Sequence, residues 1–112
     1  MFGNSNSKSI RDGEIDVSGF GFLVGSAEFT RMWNQPGGSQ TCIIEPANLG
    51  ADPALFGMAM VDAIRHGAAA YAQAVNITEA QALERIYQGF DAERANPTDT
   101  PVQINPDGSI DR

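Results

Sequence analysis

The strongest constraint on what this chain can fold into is one apolar segment, Asp52-Pro53 through Val75. Asp52 is a natural N-cap, and Pro53 falls at the first helical position, where its missing N–H costs nothing. The segment reads as a helix of about 24 residues, or about 35 Å at 1.5 Å per residue. Asn76 accepts the left-handed conformation that ends it. On a wheel at 100° per residue, Phe56, Ala59, Met60, Ala63, Ile64, Gly67, Tyr71 and Val75 share one arc, and Val61, Ala68 and Ala72 widen it. The arc spans roughly 200°, about twice the stripe a surface helix needs. The polar band that remains is narrow: Asp62, Arg65, His66 and Gln73, interrupted by Leu55, Met58 and Ala69.

Little else in the chain is able to cover such an arc. Thr78-Glu79-Ala80-Gln81 fits the capping box and opens a second helix, with Leu83, Ile86, Tyr87 and Phe90 on one stripe. Arg94 suits the negative C-terminal end of that helix, and Pro97 stops it. The connection between the helices is short, so they form an antiparallel pair. Upstream, residues 27–34 alternate, with Phe29, Arg31 and Trp33 on one face and Glu28, Thr30 and Met32 on the other. Gln35-Pro36-Gly37-Gly38 is turn chemistry, and residues 39–45 (SQTCIIE) read as a second strand ended by Pro46. Residues 15–25 (IDVSGFGFLVG) offer a candidate extra N-terminal strand, weakened by Gly19, Gly21 and Gly25. The expected fold class is α+β: a β-hairpin followed by an antiparallel helix pair.

With 112 residues there is room for one domain. Residues 1–14 are rich in Asn, Ser and Gly, and residues 97–112 are punctuated by Pro97, Pro101, Pro106 and Gly108. Neither end has the apolar content that offsets ordering entropy. The expected organisation is a flexible tail at 1–14, a single domain at 15–96 and a flexible tail at 97–112. A folding unit of that size sits where one core is marginal and oligomerisation helps. Association therefore follows from the wide apolar arc: a homodimer formed by hairpin edges, by the long helix, or by both. Its interface candidates are Trp33, Phe56, Met60, Ile64, Gly67 and Tyr71.

A net charge of −7 with seven scattered basic residues argues against partners that are nucleic acids or anionic membrane surfaces. No apolar run approaches membrane-spanning length, and the N-terminus lacks a signal-peptide pattern, so the expected location is cytoplasmic. Cys42 is the only cysteine, which excludes an internal disulfide and a cysteine zinc cage. Within its apolar run it reads as a small buried hydrophobe.

The residues able to carry chemistry are few. Asp62 and His66 stand four apart on the polar band with Arg65 beside them, the spacing at which a carboxylate orients an imidazole. No Ser or Cys has a context pointing at His66, and a surface ion pair explains the same spacing. One histidine with dispersed carboxylates does not make a metal site. Gly19 through Gly25 lacks the following helix that a phosphate-binding loop needs. No cofactor is implied.

One resemblance adds to this reading. Arg31-Met32-Trp33 with Pro36-Gly37-Gly38 begins it. Asp52-Pro53, Phe56-Gly57, Val61-Asp62, Arg65-His66-Gly67-Ala68 and Ala70-Tyr71-Ala72-Gln73 continue it, and Ile86 with Gly89-Phe90-Asp91-Ala92-Glu93 completes it. This ordered set resembles a family of small uncharacterised bacterial proteins, over about residues 29–99. The resemblance implies a bacterial protein and brings no catalytic residues. The expected function is a small non-enzymatic interaction or regulatory protein acting as a homodimer. The alternative is a small-molecule binding protein or modest enzyme with its site near Asp62, Arg65 and His66.

Overall fold

The computed structural model describes residues 13–98, together with 103–104, 108 and 110–111. The tails expected at 1–14 and 97–112 therefore lie largely outside the described residues. Two strands come first, β1 (Thr30–Asn34) and β2 (Gln40–Ile44), then two helices, α1 (Pro53–Val75) and α2 (Glu79–Ala95). Two-residue strands follow, β3 (Gln103–Ile104) and β4 (Ile110–Asp111), paired antiparallel with each other. The α+β class and its order, hairpin and then helix pair, are as the sequence implies.

β1 and β2 pair antiparallel, from Thr30 opposite Ile44 to Asn34 opposite Gln40. Their reversal uses Gly37 and Gly38, both at φ +94, a region closed to most side chains. Gln35 N donates to Ser39 O at 2.7 Å to close the turn, and Glu45 N donates to Phe29 O at 2.8 Å at the open end.

The helix boundaries follow their caps. The Asp52 carboxylate accepts from Ala54 N at 3.0 Å, with Pro53 in the first turn. Asn76 ends α1 at φ 59, ψ 52, the left-handed conformation asparagine tolerates. Two residues later the capping box is complete: Thr78 Oγ1 accepts from Gln81 N at 3.0 Å, and Gln81 Oε1 accepts from Thr78 N at 2.9 Å. α2 then returns along α1, bringing Ile86 opposite Gly67, each near the middle of its helix. The seam is built on small residues. Ala68 at 3% exposure and Ala82 at 2% are the buried apolar side chains among the described residues.

Residues 15–25 do not form the extra strand. Phe20 N donates to Val17 O, and residues Gly21–Leu23 make a single 3-10 turn in which Phe20 and Phe22 stack, ring centroids 5.6 Å apart. Three glycines lower the cost of curling, and Gly25 at φ +85 takes a backbone conformation that a regular strand excludes.

Candidate interaction surface

The hairpin and the helix pair meet at one corner. Phe29, just before β1, stands edge-on to Phe56 of α1 with centroids 6.4 Å apart. Asn48 Nδ2 donates to Glu28 O at 2.7 Å and ties the 46–48 turn to the base of β1. Beyond that corner the halves separate: no Cα of either strand comes within 8 Å of a helix Cα.

The hairpin is consequently wet on both faces. Cross-strand register puts Thr30, Met32, Asn34, Gln40, Cys42 and Ile44 on one face, and Arg31, Trp33, Thr41 and Ile43 on the other. Met32 is 60% exposed on the first face and Ile43 55% on the second; Trp33 is half-buried. Cys42 is exposed as well, contrary to the buried role its apolar neighbours suggest. Apolar neighbours in sequence bury a strand residue only when another layer covers that face, and none of the described elements does so here. Arg31 is the organised charge of the hairpin, with Nε 2.9 Å from Glu28 and Nη1 3.3 Å from Glu14.

α1 is covered in part. Phe56, Met60, Ile64 and Gly67 are half-buried, while Tyr71 at 59% and Val75 are exposed toward the C-terminal end. At the N-terminal end Leu55, Met58 and Val61 are exposed too, and Pro53 through Val61 carries no charge. A half-exposed Met, Ile or Val leaves about 1 kcal/mol of apolar burial unrealised. These exposed apolar side chains fall in two groups, Leu55, Met58 and Val61 at one end of α1 and Tyr71 and Val75 toward the other.

Asp62, Arg65 and His66 are all exposed on α1 and make no hydrogen bond or ion pair with one another. Arg65 alone touches a depression, of about 150 Å³, with Ala68, Glu79, Ala80 and Leu83. Among the described residues no three of His, Cys, Asp and Glu converge. A larger apolar hollow, about 330 Å³, lies at the corner between the two halves, lined by Phe29, Ile44, Pro46, Leu49, Pro53 and Phe56 among others. Sequence reasoning missed it because its walls come from four separate segments; Leu49, apolar within a loop, was the available signal. The carboxylates at its rim are already engaged, Glu45 with Ala47 N and Asp52 with Ala54 N.

No described helix is long and apolar enough to cross a membrane. No curated protein matches the chain. A similar solved structure is that of a protein named as a "putative pyruvate dehydrogenase" from the photosynthetic bacterium Rhodopseudomonas palustrus CGA009. It is 32% identical, with a TM-score of 0.60 over 76% of this chain and 88% of that one. Residues 24–98 match the family described as "Domain of unknown function (DUF5076)", a span that takes in the hairpin, the corner and both helices. This chain belongs to the DUF5076 family.

Proposed function

We propose that this protein is a non-enzymatic interaction or regulatory module that works as a homodimer. One observation carries the reading: a hairpin whose two faces are both wet, beside a long helix with exposed apolar side chains at both ends. A lone two-stranded ribbon is marginal in water, and a third layer or further strands are what normally stabilise it. Symmetric pairing of identical chains is the commonest way for soluble proteins to supply them. Asp62, Arg65 and His66 are exposed on α1 and make no hydrogen bond or ion pair with one another, which favours this reading over a site built on those three. We take the compartment to be a bacterial cytoplasm, where an exposed thiol such as Cys42 stays reduced.

Light scattering on the full chain at tens of micromolar tests the assembly. The expected mass is twice 11.9 kDa. A mass of 11.9 kDa across that range refutes the reading.

A further inference from the structure

We propose that the second copy docks on the outer edge of β2, so that the dimer is built on a continuous four-stranded antiparallel sheet with Cys42 on its two-fold axis. The inference rests on the homodimer reading and specifies where the two chains meet. Its first support is the direction of the backbone groups. The bonds Glu45 N to Phe29 O and Gln35 N to Ser39 O mark residues 29/45 and 35/39 as hydrogen-bonded pairs of the ladder. Antiparallel alternation makes 31/43 and 33/41 hydrogen-bonded pairs as well. The N–H and C=O groups of Gln40, Cys42 and Ile44 therefore point away from β1. Nothing among the described residues takes up these outward groups.

The two edges of the hairpin differ in how they are defended. Charge, proline and covering segments are what keep an edge strand from recruiting another. β1 holds Arg31 with Glu28 and Glu14 gathered on it, and the carbonyl of Glu28 at its base is taken by Asn48. β2 reads Gln-Thr-Cys-Ile-Ile, with no charge, no proline and no glycine. Two chains of net charge −7 repel, so their contact is best tolerated where neither carries an acid. β2 is such a surface, and a second β2 is its electrostatic match.

Self-pairing also fixes the register. Centring the axis on residue 42 is the one antiparallel register that pairs all five residues of β2 with all five of its copy. It sets Cys42 opposite Cys42 of the second copy and Gln40 opposite Ile44, adding about six main-chain hydrogen bonds. The two Cys42 Cα atoms then lie about 5.5 Å apart. The two Met32 residues, on the outer strands, are separated by three strand spacings, about 14 Å. β1, with its charge cluster, becomes the outermost strand on each side.

The test uses a bis-maleimide whose reach falls between those two separations, applied to the full chain, with light scattering on the same samples. The wild-type chain should show the dimer mass and give a covalent dimer at a yield independent of protein concentration. Cys42→Ser should keep the dimer mass and lose the cross-link. Met32→Cys placed in the Cys42→Ser background should cross-link roughly tenfold more slowly, because its thiols lie beyond the reagent at every instant of the paired state. A dimer mass with faster cross-linking through residue 32 than through residue 42, or with neither cross-linked, overturns the β2 edge while leaving the homodimer standing. A monomer mass overturns both.

Discussion

Replacing Gly67 by alanine should make this protein more stable, by an amount the structure specifies. Gly67 lies inside α1, where glycine is less favourable than alanine by about 0.8–1.0 kcal/mol because the unfolded chain gains so much freedom there. A Cβ at this position would lie 3.9 Å from Ile86 Cδ1, an ordinary contact that adds a few tenths of a kcal/mol of dispersion and no clash. The two effects together give about 1 kcal/mol, a rise in Tm of roughly 4–8 °C for a domain of this size. Gly57, also within α1, has nothing within 4 Å of its would-be Cβ, so Gly57→Ala supplies the backbone gain alone. Circular-dichroism melts and urea titrations of both variants, at several protein concentrations, separate the contributions. A drop in Tm for Gly67→Ala, or a smaller mass in light scattering than the unsubstituted chain shows, would refute the reasoning. It would mean that the bare backbone at Gly67 is needed for an approach that the single chain does not contain.

Three further outcomes are expected. Ala82→Leu forces a larger side chain into the α1–α2 seam, where Ala82 is 2% exposed; it should lower unfolding free energy by about 1–3 kcal/mol in urea. Thr78→Ala removes the hydroxyl half of the capping box and should cost about 1 kcal/mol, read as a lower Tm with the helix content of the folded state retained. The Asp16 carboxyl is held below its ordinary range by hydrogen bonds from Ser18, the side chain first and the backbone N–H second. Because the folded-state pKa is the depressed one, this contact favours folding above the unfolded pKa and is lost as pH falls through the folded one. An NMR titration of Asp16 should show a midpoint that moves up in Ser18→Ala.

What the sequence made legible was whatever is decided within a few residues. Asp52-Pro53, Asn76 and the Thr78/Gln81 pair each set a helix end through contacts no more than four residues long, and each end stands where those residues put it. The hairpin was legible for the same reason, since Pro36-Gly37-Gly38 fixes the reversal and the reversal fixes the register. The first strand proves shorter than the alternating pattern: β1 begins at Thr30, and Phe29 adds one backbone bond to Glu45 while its ring meets Phe56 at the corner. Legibility failed where a residue's environment depends on what packs over it. Cys42 and Ile43 have the composition of a buried strand and lie in water, because the helices stand off from the hairpin. The hollow around Phe29, Ile44, Leu49 and Phe56 escaped notice because no periodicity links its walls. The candidate group at Asp62, Arg65 and His66 was legible as a spacing; that its members ignore one another is a matter of side-chain orientation that spacing leaves open.

The separation of hairpin from helices also bears on how the molecule forms. Elements that pack are neighbours along the chain: β1 with β2, α1 with α2, β3 with β4. Closing such short loops costs little entropy, and chains dominated by local contacts reach their native topology in microseconds to milliseconds. Each half is thus poised to assemble quickly from its own turn. On the proposed homodimer, the encounter of two copies, which depends on concentration, would then be the slow event in maturation. During synthesis the hairpin emerges before the helices, so if β2 pairs as proposed its strand edge is available before the helices are complete.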